Sequence, residues 1–155
     1  MRIREIASAP VFVAYPGQPL AQAAGEMRSH GVGVLIVVDP RDSRRRPIGI
    51  VTDRDIVCRQ LAQATDLYCL TVGDVMTRGP LTVPADAGLS DAIGAMSRRA
   101  VRRAPVVDDA GALVGIISLD DVLPVIAREL NELARIVDLQ AHLLAHLTPE
   151  QRVVN

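Results

Sequence analysis

Residues 20–27 read LAQAAGEM and residues 89–96 read LSDAIGAM, so Leu, Ala, Gly and Met coincide at an offset of 69. The match continues without a gap, because Val37-Val38-Asp39 falls on Val106-Val107-Asp108 at the same offset. Similarity of this kind within one chain is the sequence signature of a repeated supersecondary unit. The chain is therefore a repeat of itself, and the repeat decides the architecture.

A second block extends the alignment after a loop that is three residues longer in the first copy. Residues 49–57, GIVTDRDIV, align with residues 115–123, GIISLDDVL, at an offset of 66. Each copy shows a short β-prone piece, a helical spacing of apolar residues, two apolar runs that predict a hairpin, and a closing helix that starts at Thr52 or Ser118. The pattern β-α-β-β-α, twice, predicts an α+β fold in which two pseudo-symmetric halves pack through their sheets.

The last helix is expected to continue past the repeat. Apolar residues keep helical spacings from about Pro124 to Leu147, although the repeat otherwise ends near Leu130. Part of this stripe needs another surface to cover it, and dimerisation through the helices is the simplest cover. Pro124 predicts a kink or a late helix start. We expect the first repeat over residues 1–65, the second over 71–130, and a helical extension with a tail over 131–155.

Composition limits the class of protein. The chain has 155 residues, 49% of them apolar, and a formal net charge of −1. A folded core is expected, and near-neutral charge removes the global electrostatic argument for a nucleic-acid or membrane-surface protein. No apolar run approaches the roughly 20 residues that span a bilayer, and the N-terminus does not resemble a signal peptide. These features predict a soluble cytoplasmic protein with neither a nucleic-acid partner nor membrane insertion.

Catalytic and metal-binding motifs are not apparent in the sequence. Cys58 and Cys69 make neither a disulfide framework nor a zinc site, which needs about four ligands. His142 and His146 stand one turn apart on the predicted last helix, but surface histidines are the favoured interpretation because no further ligand type completes a set. The sequence shows no supported nucleophile and base pair and no Gly-rich phosphate loop. We therefore predict no enzymatic activity and no metal.

Four features occur in order along the chain: the Met-ending helix, the strand ending in two apolar residues and Asp, the Gly-φ-φ-[Thr/Ser]-x-x-Asp segment, where φ is apolar, and the lead-in VGDVMT at 72–77. Together they resemble a tandem pair of cystathionine-β-synthase (CBS) domains, the Bateman module, of the stand-alone bacterial type, over about Val11 to Leu130. The resemblance implies a regulatory homodimer that binds AMP, ADP, ATP or S-adenosylmethionine between its repeats. It further implies a separate partner protein and no required cofactor.

The candidate ligand residues begin with Thr52 and Asp55, at the point where a strand becomes a helix. The Thr52 hydroxyl and the helix N-terminal amides can meet phosphate, and the Asp55 carboxylate can accept from both ribose hydroxyls. Ser118 and Asp121 repeat the arrangement. The alternative interpretation of [Ser/Thr]-x-x-Asp before an apolar run is a capping box that satisfies helix amides.

The resemblance also implies that each cleft borrows from the lead-in of the opposite copy. The cleft of Thr52 and Asp55 would use Thr77, Gly79 and Leu81, and the other cleft would use the stretch from Ala9 to Val13.

Basic residues differ between the copies. Arg102 and Arg103 match positions that reach ligand phosphates in some family members, whereas the first copy has Gly33 and Val34 there. Two unequal clefts are therefore predicted. A dimerisation or interaction scaffold without a physiological nucleotide, which docks through the last helix, is the alternative function.

Overall fold

The repeat of the sequence is also a repeat of structure in the computed structural model, which describes residues 1–63 and 66–145. The first copy contains β1 (Val13–Ala14), α1 (Leu20–His30), β2 (Val34–Val38), β3 (Pro47–Thr52) and α2 (Asp53–Gln63). A single-turn helix α3 (Val72–Val75) and the strand β4 (Thr77–Arg78) lead into the second copy. That copy contains β5 (Val83–Pro84), α4 (Leu89–Arg98), β6 (Arg103–Val107), β7 (Leu113–Ser118) and α5 (Leu119–Ala145). The predicted α+β fold of two β-α-β-β-α repeats with a long last helix is confirmed.

The strands form two sheets, in the orders β1-β2-β3-β4 and β5-β6-β7. In each sheet the first strand runs parallel to the second, and the second and third form the antiparallel hairpin that the sequence predicts. The first sheet has four strands because β4, from the lead-in of the second copy, pairs with β3.

The lead-ins are exchanged between the sheets. Ile50 of β3 pairs with Thr77, and Ile116 of β7 pairs with Ser8 in an isolated bridge. These pairings are equivalent positions of the two copies, because Ser8 and Thr77 differ by 69 and Ile50 and Ile116 by 66. Each sheet therefore pairs with backbone from the lead-in of the other copy.

Glycine permits this close approach in both sheets. A Cβ atom at Gly49 would lie 2.5 Å from the Sδ of Met76, and one at Gly115 would lie 3.2 Å from the Cβ of Ala7. A side chain at either position would push the lead-in away from the strand. One cluster of buried residues joins α1, β2, β3 and α2 of the first copy to α3 of the lead-in.

Helices α1 and α4 end in the same kind of turn. The amide of Val32 donates to the Met27 carbonyl at 2.9 Å, and the amide of Val101 donates to the Met96 carbonyl at 3.1 Å. The residue before each donor has a left-handed backbone, with φ of 65° at Gly31 and 50° at Ala100. These are Schellman-type ends, in which glycine is the preferred residue. The second copy places alanine there.

Helix α5 belongs to a second compact unit, which begins at Leu119, whereas the first unit ends at Ser118. The helix begins at Leu119, one residue after the predicted start at Ser118. Of the two alternatives at Pro124, the late helix start is therefore wrong, because the helix already contains the proline, and the kink stays a prediction. Asp120 and Asp121 lie in its first turn, where acidic side chains favour helix initiation. The predicted helix end at Leu147 lies outside the described residues. Among the helices of the described ranges, none has the length and apolar character needed to cross a bilayer.

Candidate functional site

A cleft of about 420 Å³ lies within the first unit and is built from both copies of the repeat. This volume is in the range of small-molecule sites. The strand-to-helix junction of β3 and α2 supplies one wall, β4 supplies Thr77, and the start of β6 supplies the other wall. The lining residues are Ile50, Thr52, Asp53, Arg54, Asp55, Thr77, Val101, Arg102 and Arg103. The structure thus brings together five residues that the sequence selected from three separate segments.

Thr52 and Asp55 form a reciprocal capping box at the start of α2. The amide and the hydroxyl of Thr52 donate to Oδ2 of Asp55 at 2.9 and 2.7 Å. In return, the amide of Asp55 donates to the Thr52 hydroxyl oxygen at 3.2 Å. The capping geometry of the alternative interpretation is therefore present. It does not use up the carboxylate, because both bonds from Thr52 reach the same oxygen and a carboxylate can accept about four hydrogen bonds.

The first amides of α2 all have acceptors within the protein. The amide of Asp53 donates to the Gly33 carbonyl at 3.1 Å, and that of Arg54 donates to Oδ1 of Asp53 at 2.7 Å. The third amide, that of Asp55, takes part in the capping box. These amides donate to acceptors within the protein, and their expected contact with phosphate stays a prediction. An anion in this cleft would have to be met mainly by guanidinium groups.

Three arginines provide those groups. Arg54 and Arg102 are exposed, and Arg103 is half-buried as the first residue of β6. Within residues 1–63 and 66–145, the guanidinium groups of Arg54 and Arg102 have no ion-pair partner. An arginine fork can pair bidentately with a phosphate group. The cleft therefore offers cationic donors beside the Asp55 carboxylate.

The equivalent strand of the first copy lacks this charge. Arg103 pairs with Ser118 across the β6–β7 hairpin, and the corresponding pair of the β2–β3 hairpin is Val34 with Thr52. Val34 is half-buried and apolar. The asymmetry seen in the sequence is thus located at one defined position of each hairpin.

The other predicted site residues do not line this cleft. Gly79 follows β4 with a φ of 58°, and its amide donates to the Ile48 carbonyl at 3.2 Å. Leu81 lies between β4 and β5, and Val13 belongs to β1 and pairs with Ile36. Ser118 ends β7, whereas Asp121 lies in the first turn of α5, in the second unit. Their ligand roles stay predictions.

Sequence reasoning did not select Ile50, Asp53, Arg54 or Val101 as ligand residues, although all four line the cleft. Ile50 could have been found, because it is the residue opposite Thr77 once the exchange of lead-ins is recognised. Asp53 and Arg54 carried a weaker signal, their place in the first turn after Thr52.

Among the described residues, no three His, Cys, Asp or Glu side chains are grouped so that they could hold a metal ion. Cys58 and Cys69 are both free and exposed. His146 lies outside the described part of the chain, so its pairing with His142 is untested.

The family model "CBS domain" matches residues 3–61 and 72–128. Across three curated relatives that are 33 to 35% identical, the match spans 61 to 85% of the relative's own length. One is Hypoxic response protein 1 of Mycobacterium tuberculosis, 34% identical over 83% of this chain and 85% of that protein. A crystal structure of Hypoxic Response Protein I with two coordinated zinc ions superposes with a TM-score of 0.68 at 31% identity over 80% of this chain and 98% of that one.

Two further crystal structures contain adenosine compounds. The CBS domain protein PAE2072 from Pyrobaculum aerophilum, complexed with AMP, is 27% identical with a TM-score of 0.70 over 78% of this chain and 89% of that one. The CBS domain pair of protein MJ0100, complexed with 5′-methylthioadenosine and S-adenosyl-L-methionine, is 26% identical with a TM-score of 0.71 over 83% of this chain and 98% of that one. The two matched segments and the duplicated fold lead to one conclusion: this chain belongs to the CBS domain family, as a tandem pair.

Proposed function

We propose that the cleft binds an adenosine-containing ligand and that the protein is a regulatory module which passes this signal to a separate partner. One observation carries the proposal: the cleft joins the Thr52–Asp55 pair of the first repeat to Arg102 and Arg103 of the second. The AMP complex and the S-adenosylmethionine complex of two proteins with this fold support it. We assign no catalysed reaction and no required cofactor to the cleft.

The chemistry of the lining suggests how such a ligand would lie. Asp55 would accept from the vicinal ribose hydroxyls through the oxygen that the cap leaves unused, and charge-assisted bonds of this kind are about twice as strong as neutral ones. Ile50 and Val101 offer apolar surface for the adenine ring. Arg102 and Arg103 would meet the phosphate. A ligand bound in this way touches both repeats at once, so its affinity depends on how the repeats pack.

This dependence gives the module a means of regulation. A ligand shifts a protein between two conformations only through its different affinities for them. The walls of this cleft come from different repeats. When they move relative to each other, the affinity of the cleft for the ligand changes. The partner that responds would recognise one of these conformations.

The arginines are the sharpest test. Calorimetric titration with adenosine, AMP, ADP, ATP and S-adenosylmethionine should be run on the wild type and on the double variant Arg102→Ala/Arg103→Ala. Hydrogen bonds to charged groups contribute about 1.5–3 kcal/mol each, so the affinity for AMP or ATP should fall at least tenfold. Adenosine has no phosphate, and its affinity should change less than about threefold, within ordinary mutational scatter.

Arg98 and Arg99 provide the matched control, because they are exposed, carry the same charge and do not line the cleft. The variant Arg98→Ala/Arg99→Ala should bind every ligand as the wild type does. Equal losses for adenosine and AMP in the cleft variant would mean that its arginines shape the cleft and do not hold phosphate. Two identical sites in the wild type would contradict the predicted inequality of the clefts.

A second candidate function is an interaction scaffold without a nucleotide ligand. The large apolar residues left exposed along α5 favour it, since they form a surface suited to another protein. Thermal shift with the same ligand panel separates the two, because a ligand at 100 times its dissociation constant stabilises the fold by about 2.7 kcal/mol. No shift with any of the five compounds would leave the scaffold as the better account.

A further inference from the structure

Helix α5 exposes an unusual amount of apolar side chain. Six large apolar residues on it are between 54% and 64% exposed: Leu123, Leu130, Leu133, Ile136, Val137 and Leu139. Monomeric proteins leave single apolar residues exposed, but contiguous apolar patches mark surfaces that meet another molecule. The spacing of these residues identifies the kind of molecule.

One seam of α5 follows the heptad repeat of a coiled coil. Its positions alternate in steps of three and four residues: Leu123, Ile126, Leu130, Leu133, Val137 and Gln140. This mean period of 3.5 is the signature of two helices that wrap around each other with interlocking side chains. Alanines follow every second seam position, at residues 127, 134 and 141. Small residues beside the seam let a second helix approach closely.

We propose that this seam binds the same seam of a second copy of the chain, as a parallel coiled coil in register. The argument rests on Gln140, the polar member of the seam. In a parallel pair Gln140 faces Gln140 of the second copy, and an amide group is complementary to itself because it carries both donors and an acceptor. A single polar pair in an apolar seam is a known device for fixing register.

The antiparallel arrangement has no such pairing. The seam has two alternating heptad positions, and in an antiparallel pair each position faces the other one. Gln140 would therefore face a position that holds Leu123, Leu130 or Val137 on this helix. A buried amide opposite Leu or Val would lack a hydrogen-bond partner. Charge does not oppose the parallel pair either, since Glu129 beside the seam would face Ala134 of the second copy.

The area is consistent with a reversible dimer. Full burial of a Leu or Val side chain removes on the order of 100 Å² of apolar surface, and these residues are about 60% exposed. With the alanines, the seam would bury on the order of 400 Å² per copy and about 800 Å² for the pair, which is below the roughly 1,200 Å² of stable specific interfaces and within the range of weak, reversible ones. The fraction of dimer therefore rises with protein concentration.

Leu133 and Leu139 give a matched test, because the same residue type is 60% exposed at one position and 61% at the other. Only Leu133 lies on the seam. In sedimentation equilibrium at micromolar concentrations, Leu133→Glu should have half the mass of the wild type, with its dissociation constant raised at least 100-fold. Leu139→Glu should keep the wild-type mass, and circular dichroism should show the same helix content in all three proteins. Equal behaviour of the two variants, or a wild type that does not associate, would overturn the proposal.

Cross-linking tests the orientation independently of any other contact between copies. In a chain with Cys58→Ser and Cys69→Ser, Val137→Cys should form a disulfide-linked dimer on mild oxidation, because position 137 faces itself only in the parallel register. Leu139→Cys in the same background should stay unlinked. A linked Leu139→Cys protein with an unlinked Val137→Cys protein would contradict the seam.

Discussion

Asp55 has two separable roles if the proposed function is right, and a second capping box in the same chain allows them to be measured apart. Asp55 caps α2 through Thr52 with distances of 2.9 and 2.7 Å. Asp74 caps α3 through Thr71 with distances of 2.8 and 2.6 Å. The two boxes are nearly identical in geometry, but Asp74 does not line the cleft.

The expected magnitudes follow from these bonds. Each carboxylate accepts two hydrogen bonds from its Thr partner, so Asp55→Ala and Asp74→Ala should weaken their helix starts to a similar extent. For a chain of this size, the melting temperature should fall by about 2–4 °C in both variants. Only Asp55→Ala also loses the acceptor for the ribose hydroxyls, which is worth about 1.5–3 kcal/mol and should weaken AMP binding by about 10- to 150-fold.

The assay pairs thermal unfolding without ligand with calorimetric titration of AMP. If Asp55→Ala loses stability but binds AMP with unchanged affinity, the carboxylate is a cap and nothing more. If Asp74→Ala weakens binding as much as Asp55→Ala does, the effect comes from general loosening of the fold and the site assignment fails.

Two further predictions concern stability. Ala100→Gly should raise the melting temperature by about 1–3 °C, because the left-handed backbone at that residue costs alanine about 1–2 kcal/mol and glycine's extra unfolded-state entropy offsets only part of the gain. Gly31→Ala at the equivalent turn should lower the melting temperature. A fall in both variants would refute the argument. The hydrogen bonds from Thr71 and the charge of Arg78 hold the pKa of Asp74 below its ordinary value, so its stabilising effect is present above about pH 4 and is lost as the pH falls through the lowered pKa. Acid titration of unfolding should show a shallower decline for Asp74→Asn than for the wild type, and superimposable curves would contradict this role.

The elements of the fold could be predicted from sequence because each helix and strand is indicated twice, once in each copy. Residues 34–38 form β2 with the predicted bounds, and the hairpin of residues 103–118 differs from expectation by one residue at each outer end. The errors fell where the two copies differ in sequence, because there the alignment gives no independent check. Pro124 has Cys58 at its counterpart in the first copy, and the structure places this proline inside α5.

The cleft was less predictable, because it is made by packing between distant segments. The sequence selected Arg102 and Arg103 as phosphate ligands, but only the structure brings them to the same cleft as Thr52 and Asp55. Gly79 and Leu81 lie beyond the two paired residues of β4, where the Gly79 amide donates to the Ile48 carbonyl of β3, and their ligand roles stay predictions. The use of the first amides of α2 within the protein depends on the position of the Gly33 carbonyl, which no local pattern encodes.

The exchanged lead-ins have a consequence for the covalent link between the copies. The contacts of Thr77 with the first sheet and of Ser8 with the second are equivalent, so each copy contributes the same pairing that it receives. Two identical single repeats would satisfy both pairings as a symmetric pair, so the exchange itself does not depend on the chain that joins the copies. The equivalence holds for the backbone and not for every side chain, since Arg102 and Arg103 of the second copy stand where the first has Gly33 and Val34.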